Sequence, residues 1–291
     1  MLKAIVLDMD ATLLTSENEI SPATLTALLQ AQQAGTTVVL ASGRSYLRLL
    51  PDASKLHLAD YGGVLIDVNG TSLYDVKTQQ RRYIGGMDAP RIKRVVDFFS
   101  QFEVEIQFNQ DDAIVTYLPE PIYVMKRRIR GEMRLPDDYP WTGGMYSWLC
   151  DMRDGYPHQT MIRDLAEAPT HANKLSIVQE PDKIHFVADS AKAQPIWQEF
   201  EFAFSDPRKM EVTPKNVSKG SALLALMQER GWQPDEVAAF GDSGNDVSML
   251  KVVKYSVAMG NALPVAKRVA NYSTADNNHD GIAKFLQQLN G

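Results

Sequence analysis

The sequence contains very little cysteine: Cys150 is the single one among 291 residues, so the chain cannot form an internal disulfide. That scarcity is typical of proteins that work in a reducing compartment. No histidine or asparagine lies beside Cys150 in a pattern that would activate its thiol, and we interpret it as a small packing residue. The five histidines show no metal-ligand spacing, and we interpret them as surface or packing residues.

Long apolar runs and an excess of positive charge are also missing. No apolar stretch approaches the roughly 20 residues that a membrane-spanning helix requires. The first residues, MLKAIVLDMD, lack the charged region, the apolar region and the cleavage site of a signal peptide. The formal net charge of −6 gives no general attraction to nucleic acid or to an anionic membrane. We therefore expect a cytoplasmic protein with no nucleic-acid or membrane partner, and no obligate protein partner is evident.

What is present is an ordinary globular composition, 44% hydrophobic and 23% charged, with material for one large domain or two smaller ones. Residues 3–8, KAIVLD, form an apolar run typical of a strand buried inside a parallel sheet. A helix should follow, with Ser21 as its N-cap, Pro22 at its first position and Gly35 just past its end. Residues 36–44 then read as a second buried strand. Strand, helix and strand in this order predict a βαβ unit.

The C-terminal third repeats this pattern, whereas the middle of the chain alternates helices with paired strands. The sequence therefore predicts an α/β fold, in which a Rossmann-like parallel-sheet core carries an inserted α+β domain. Residues 1–83 and 207–291 should form the core, and residues 84–206 the insertion. The linkers should lie near RRYIGGMDAP at 81–90 and SDPRKMEV at 205–212, both rich in turn or hinge residues. Within the insertion, the basic run at 125–134 is open to two interpretations. It is either the solvated face of a helix or a patch that attracts an anionic substrate.

Three of the predicted core strands end in polar residues. The first ends at Asp8 and Asp10, the second at residues 42–44, and a later one at residues 241–246. Because ligands bind beyond the carboxyl ends of parallel strands, we expect these loops to converge. Convergence would bring together four carboxylates: Asp8, Asp10, Asp242 and Asp246. Four acids in one crevice cannot all stay ionised without a cation, and a set of oxygen ligands favours Mg²⁺.

At this point the chain resembles the haloacid dehalogenase-like phosphatases. Four segments match their motifs in order: DMDAT at 8–12, LASGR at 40–44, Lys219 in NVSKG, and GDSGND at 241–246. The insertion looks like the α/β cap of the Cof-type subfamily, which covers the site and carries substrate specificity. VAMGNA at 257–262 and NNHDGIA at 277–283 are similar to that subfamily's closing segments. The resemblance covers nearly the whole length and implies a phosphatase.

The resemblance implies a role for each acid. Asp8 is the nucleophile that forms an aspartyl-phosphate, and Asp10 is the general acid and then the general base. Neighbouring acids should raise the pKa of Asp10 enough to keep it protonated for the first step. Asp8, the backbone carbonyl of Asp10, and Asp242 are the implied Mg²⁺ ligands. Asp246 orients ligands or waters in the outer shell; it can equally serve as the N-cap of the next helix, and the two roles are compatible.

Bound phosphate needs hydrogen-bond donors and positive charge. The Ser42 hydroxyl, the Met9 and Gly43 amides, the Lys219 ammonium and the Asn245 carboxamide are the candidates. A lone lysine at a helix start is usually a solvated residue, but the motif around Lys219 favours the site.

The family usually has glycine where this chain has Ala11, and alanine harms the site only if the native φ is positive. With that question open, we expect a Mg²⁺-dependent phosphatase of small phosphorylated metabolites, such as sugar phosphates, flavin mononucleotide or pyridoxal phosphate. A phosphomutase that uses the same aspartate and a catalytically weak phospho-ligand-binding protein are the alternatives. A phospho-accepting signalling receiver is disfavoured, because receivers are shorter and lack an inserted cap.

Overall fold

The computed structural model describes residues 2–144 and 147–290. The strands are β1 Ala4–Leu7, β2 Thr37–Ala41, β3 Val64–Asp67, β4 Ser72–Asp75, β5 Gln80–Tyr83, β6 Met87–Asp88, β7 Glu105–Asn109, β8 Ala113–Tyr117, β9 His158–Ile162, β10 His171–Ala172, β11 Lys174–Val178, β12 Phe200–Asp206, β13 Lys209–Pro214, β14 Val237–Gly241, β15 Tyr255–Ala258 and β16 Tyr272–Ser273. The helices are α1 Pro22–Gln33, α2 Tyr46–Lys55, α3 Leu58–Tyr61, α4 Ala89–Phe99, α5 Glu120–Glu132, α6 Pro181–Lys192, α7 Ile196–Glu199, α8 Lys219–Arg230, α9 Val247–Leu250, α10 Pro264–Lys267 and α11 Gly281–Asn290. None of these helices combines the length and apolarity that a bilayer crossing demands.

The chain divides into two compact units. One contains the residues up to Gly85 and those from Asn216 onward, and the other is Gly86–Lys215. The first unit is built on an eight-stranded sheet in the order β16-β15-β14-β1-β2-β3-β4-β5. The strands from β16 to β3 run parallel, and β4 and β5 extend the sheet as an antiparallel pair. The carboxyl ends of β14, β1, β2 and β3 therefore lie at one edge, side by side.

Local sequence explains why this sheet forms. All four residues of β1 are buried, as a central parallel strand requires. The Ser21 side chain accepts a hydrogen bond from the Thr24 amide at 3.2 Å, Pro22 opens α1, and Gly35 follows with φ of 91°. These are the predicted ends of that helix. The polar residues at the edge of the sheet therefore follow strands whose own side chains are buried in the core.

The second unit has a six-stranded sheet in the order β12-β13-β11-β7-β8-β9. Its pairs are antiparallel except for β8 with β9. Alternation along β7 separates two faces: Ile106 and Phe108 enter an apolar cluster with α4 and α6, whereas Glu105, Gln107 and Asn109 are buried on the opposite face. Successive side chains of a strand point to opposite faces, so apolar and polar residues alternate when the two faces contact different surroundings.

The sequence-based boundary at residue 207 needs correction. The sequence predicts that residues 207–215 belong to the core, but β13 pairs with β11 and β12 and lies within the sheet of the second unit. The division falls after Lys215 instead. The segment SDPRKMEV, which suggested a linker, is the end of β12, a turn at Pro207 and Arg208, and the start of β13. Turn residues mark hairpins as readily as linkers, so composition alone did not separate the two.

The basic run at 125–134 contains one residue that fits neither a solvated helix face nor a patch that attracts an anionic substrate. Arg127 and Arg128 are exposed on α5, as a solvated face predicts, but Lys126 is fully buried. Its Nζ donates to Glu105 Oε2 at 2.5 Å and to the Trp141 carbonyl oxygen at 2.5 Å. Burial lowers the pKa of Lys126, while Glu105 opposes that shift. Lys126 is therefore part of an internal ion pair.

Candidate active site

The carboxyl edge of the parallel sheet in the first unit holds three acids in contact range. Asp8 directly follows β1, and Asp242 and Asp246 lie in the loop after β14. One carboxylate oxygen from each lies within 4.8 Å of the others. Parallel pairing of β1 with β14 produces this approach, because it brings residues 7 and 240 into register just before the acids.

Lys219 neutralises part of this charge. Its Nζ donates to Asp8 Oδ1 at 2.5 Å and to Asp246 Oδ1 at 2.6 Å, and its side chain is fully buried. The lysine is the first residue of α8, whose start is fixed by a reciprocal capping box between Ser218 and Ser221. A cation held this firmly cannot be interpreted as a solvated helix-start lysine.

Asp246 uses both of its oxygens within the protein. Oδ1 accepts the Lys219 ammonium, and Oδ2 accepts the amides of Asp242 and Ser243 at 3.0 and 2.9 Å. A Cβ at Gly241 would lie 2.5 Å from the Cβ of Asp246, so the strand end must be glycine for this acid to fold back. This bonding suits a residue that orients the loop.

The pKa values of Asp8, Asp242 and Lys219 are shifted from their ordinary values. Burial raises the pKa of Asp8 to about 7; Lys219 opposes the shift, and the neighbouring charges of Asp246 and Asp242 add to it. Burial also raises the pKa of Asp242, against which the Thr12 hydroxyl donates to Oδ1 at 3.0 Å. Burial alone would lower the pKa of Lys219, but Asp8 and Asp246 raise it overall.

Asp10 departs from the expected convergence of four carboxylates. Its side chain is 61% exposed, and both of its oxygens accept hydrogen bonds from the Arg44 guanidinium, with Nε to Oδ2 at 3.2 Å. Among the described residues, the cluster of three acids does not include it. Asp10 lies in the turn after β1 with φ of −69° and ψ of 128°, and there its side chain bonds Arg44 instead of joining the other acids. The acid whose pKa burial raises to about 7 is Asp8.

The other predicted donors lie around this cluster. Ser42 directly follows β2 and is buried, with its Oγ accepting the Arg44 amide at 3.1 Å. Gly43 and Asn245 are exposed at the same edge of the sheet. Both lie beside Asn69: the Asn245 carboxamide donates to Asn69 Oδ1 at 3.0 Å, and an added Cβ on Gly43 would contact that same oxygen at 3.4 Å.

Ala11 has a φ of 58° and a ψ of 12°, within the left-handed region. The question left open by the sequence therefore has an answer: this position favours glycine, and alanine is strained here. The Ala11 carbonyl accepts the Asn261 carboxamide at 2.8 Å, which ties the turn to the segment after β15.

Sequence reasoning missed several residues of this edge. The sequence motifs contain Thr12 and Asn261 without predicting a role for either, and they do not include Asn69. Asn69 could be expected at this edge once β3 is known, since a polar residue after β3 lies next to the residues that follow β2. No strand is predicted from the sequence at residues 64–67, and therefore no strand end beside Asn69.

The donor set fits a hard divalent cation. Asp8 and Asp242 offer carboxylate oxygens close together, the cluster found among the described residues consists of carboxylates, and burial raises the pKa of both acids. Such a set suits Mg²⁺, Mn²⁺ or Ca²⁺ rather than a thiolate-binding metal.

Comparison with known proteins agrees with this arrangement. Pyridoxal phosphate phosphatase YbhA of Escherichia coli is 27% identical over 289 residues, covering 98% of this chain and 97% of that protein. The HMP-PP phosphatase of Serratia proteamaculans is 27% identical over 267 residues, covering 92% of this chain and 87% of that protein. The crystal structure of a haloacid dehalogenase-like hydrolase from Bacteroides thetaiotaomicron superposes with a TM-score of 0.74 at 26% identity, covering 99% of this chain and 100% of that chain.

A family model described as haloacid dehalogenase-like hydrolase matches residues 5–286. The predicted fold class and the prediction of an enzyme, a phosphatase of this type, are confirmed. Because the match extends over nearly the whole sequence, the chain belongs to the haloacid dehalogenase-like hydrolase family.

Proposed function

We propose that this chain is a Mg²⁺-dependent phosphatase that hydrolyses small phosphorylated metabolites through an aspartyl-phosphate on Asp8. The observation that carries the proposal is the environment of Asp8. Its carboxylate is buried at the carboxyl edge of the sheet, bonded to the ammonium of Lys219, and within 4.8 Å of Asp242. A carboxylate held in one orientation is suited to in-line attack on phosphorus.

The proposed reaction has two steps. In the first, an Asp8 oxygen forms a bond to phosphorus while the bond from phosphorus to the ester oxygen breaks, and Asp10 gives its proton to the departing alkoxide. In the second, a water oxygen attacks the acyl-phosphate, Asp10 takes a proton from that water, and the Asp8 carboxylate is regenerated. The exposure of Asp10 suits a group that meets substrate and solvent in turn. To do so it must exchange Arg44 for the leaving oxygen.

Charge on the transferred phosphoryl group needs fixed donors. We assign this task to the Lys219 ammonium, the Ser42 hydroxyl, the Asn245 carboxamide, and the backbone amides of Met9 and Gly43. Lys219 would share its charge between Asp8, Asp246 and the bound phosphate. Preorganised donors of this kind cost little reorganisation as charge develops.

Hydrolases of this family generally use a divalent metal, and we propose Mg²⁺. Asp8, Asp242 and the backbone carbonyl of Asp10 would hold it, with Asp246 orienting the loop that carries Asp242. When bound, the ion would offset the negative charge of the acids and of the substrate phosphate.

The substrate class follows from chemistry and from the relatives. YbhA is named a pyridoxal phosphate phosphatase and the Serratia protein an HMP-PP phosphatase. We propose a cytoplasmic phosphorylated metabolite of similar size: a sugar phosphate, flavin mononucleotide or pyridoxal phosphate. We assign selection among them to the inserted unit, the position of the specificity-bearing cap in the Cof-type subfamily.

The test is release of phosphate from a generic aryl phosphate, with Mg²⁺ and with a chelator. We expect Mg²⁺-dependent release that is lost in Asp8→Asn. Asp60→Asn, at an exposed acid on α3, is the matched control and should keep full activity. Equal release by Asp8→Asn would reject Asp8 as nucleophile. With a sugar phosphate as substrate, an isomer without free phosphate would indicate a mutase.

A further inference from the structure

The turn after β3 has an unusual backbone. Val68, Asn69 and Gly70 follow one another with φ of 42°, 57° and 102°. Residues other than glycine rarely adopt positive φ, and for a β-branched residue such as Val68 it is a clear outlier. Strain of this kind persists only where the surrounding structure determines it, and it clusters at functional sites.

Two backbone hydrogen bonds connect this turn to the loop after β2. The Val68 amide donates to the Arg44 carbonyl oxygen at 3.0 Å, and the Asn69 amide donates to the Ser42 carbonyl oxygen at 2.8 Å. The Ser42 carbonyl and the Gly43 amide share one planar trans peptide, so fixing the carbonyl also fixes the opposite direction of the Gly43 N–H. The turn therefore orients an amide that the proposed mechanism needs.

The Asn69 side chain makes a second connection. Its Oδ1 accepts the Asn245 carboxamide at 3.0 Å, while the Asn245 oxygen accepts the Ser243 hydroxyl at 2.6 Å. Held from both ends, the Asn245 carboxamide keeps one N–H in a defined direction. Asn69 itself is exposed, so core packing is not the reason for its conformation.

Gly70 makes the third connection. A Cβ on Gly70 would lie 2.1 Å from the Ser218 carbonyl oxygen and 3.0 Å from the Lys219 amide nitrogen. The turn is therefore packed against the backbone that delivers Lys219 to the site. One short segment contacts the elements that carry Gly43, Asn245 and Lys219.

We propose that residues 68–70 are a positioning turn for the phosphate pocket, and that Asn69 is its positioning residue, acting through the Asn245 carboxamide. This inference rests on the proposed function, because it concerns how the phosphate donors of that reaction are held. Its consequence is specific: loss of the Asn69 side chain should weaken phosphate binding more than it slows the chemical step.

The test compares four proteins with wild type: Asn69→Gly, Asn245→Ala, the double variant, and Gln79→Gly as control. Gln79 is exposed in the β4–β5 turn with φ of 57°, so its replacement relieves the same backbone conformation away from the site. The measurements are the Kd for inorganic phosphate in Mg²⁺ by calorimetry, kcat and KM for an aryl phosphate, and Tm.

We expect Asn69→Gly to bind phosphate about tenfold more weakly, the effect of about one hydrogen bond to a charged group. Its KM should rise by a similar factor, kcat should change by less than about twofold, and Tm should not fall. The double variant should bind no more weakly than Asn245→Ala, because side chains that act as a unit are not additive. Gln79→Gly should match wild type in Kd and KM.

Wild-type phosphate affinity in Asn69→Gly, or additive losses in the double variant, would overturn the inference. A wild type that binds phosphate without hydrolysing an ester would defeat the proposed function alone. A wild type that hydrolyses the ester while Asn69→Gly matches it would defeat this inference alone. A wild type that binds no phosphate would contradict both.

Discussion

At the scale of single residues, the site is a balance of buried charges. Asp8 and Asp246 both bond the buried ammonium of Lys219. A carboxylate oxygen of Asp242 lies within 4.8 Å of one from each of these acids. Burial penalises the charged form of Asp8, and the ammonium of Lys219 offsets only part of that penalty. The residual cost appears as the raised pKa of Asp8, and it is the feature that a divalent cation would relieve.

This balance predicts a pH dependence of stability in the metal-free protein. The pKa of Asp8 rises from 3.8 to about 7 on folding, so between these values the folded state binds more protons than the unfolded state. Stability from this residue should therefore fall as pH rises from about 4 to about 7. Urea unfolding in chelator across that range should show the decline, and excess Mg²⁺ should offset it near pH 7. An identical slope in Asp8→Asn would contradict this account of Asp8.

Ala11 makes a second prediction at this scale. Its φ of 58° is costly for alanine, so Ala11→Gly should raise the free energy of unfolding by about 1 kcal/mol. Ala27→Gly, inside α1, is the control and should lower it by about 0.5–1 kcal/mol. Thermal and urea unfolding measure both. A destabilised Ala11→Gly would show that the left-handed conformation is not strained.

At the scale of elements, apolar periodicity and capping residues predicted the first strands and the first helix of the core. Residues 3–8 and 36–44 became β1 and β2, and Ser21, Pro22 and Gly35 mark the ends of α1. These features depend on neighbours in sequence, which is why they are legible there. The sequence does not predict the hairpin of β4 and β5, because β5 is mostly exposed and has no apolar pattern. The β12–β13 hairpin is wrongly predicted as a linker, because its turn residues are equally typical of both.

The site shows the same division. Parallel-strand ends predicted the approach of Asp8, Asp242 and Asp246, since topology alone brings those loops together. The orientation of Asp10 toward Arg44 was not predictable, because it depends on a turn whose dihedral angles no motif specifies. For the same reason, Asn69 could be placed only once β3 was known to lie beside β2.

The buried pair of Lys126 on α5 and Glu105 on β7 makes a prediction at this scale. Lys126→Met leaves an uncompensated buried carboxylate and should lower the free energy of unfolding by about 3–5 kcal/mol. Adding Glu105→Gln removes that charge and should recover a large part of the loss. Lys93→Met, at an exposed ion pair on α4, should change stability by less than about 1 kcal/mol. Equal effects of Lys126→Met and Lys93→Met in urea unfolding would contradict the internal pairing.

At the scale of the whole molecule, each of the two units has a hydrophobic core of its own among the described residues. The core of the first unit surrounds a mainly parallel sheet whose carboxyl edge holds the acids. The second unit, Gly86–Lys215, has its own core beneath α4 and α6. The four short motifs that indicated the family all lie in the first unit. The identity of the substrate was not, because no comparable motif in the second unit specifies a ligand.

The central claim is that Asp8 takes the phosphoryl group from the substrate. Its most direct test is rapid acid quench of the enzyme during turnover of an aryl phosphate in Mg²⁺, followed by peptide mass spectrometry. We expect the mass of one phosphoryl group on the peptide that contains Asp8, absent in chelator and absent in Asp8→Asn. A phosphoryl group on another residue, or turnover with no covalent adduct at any quench time, would contradict the account.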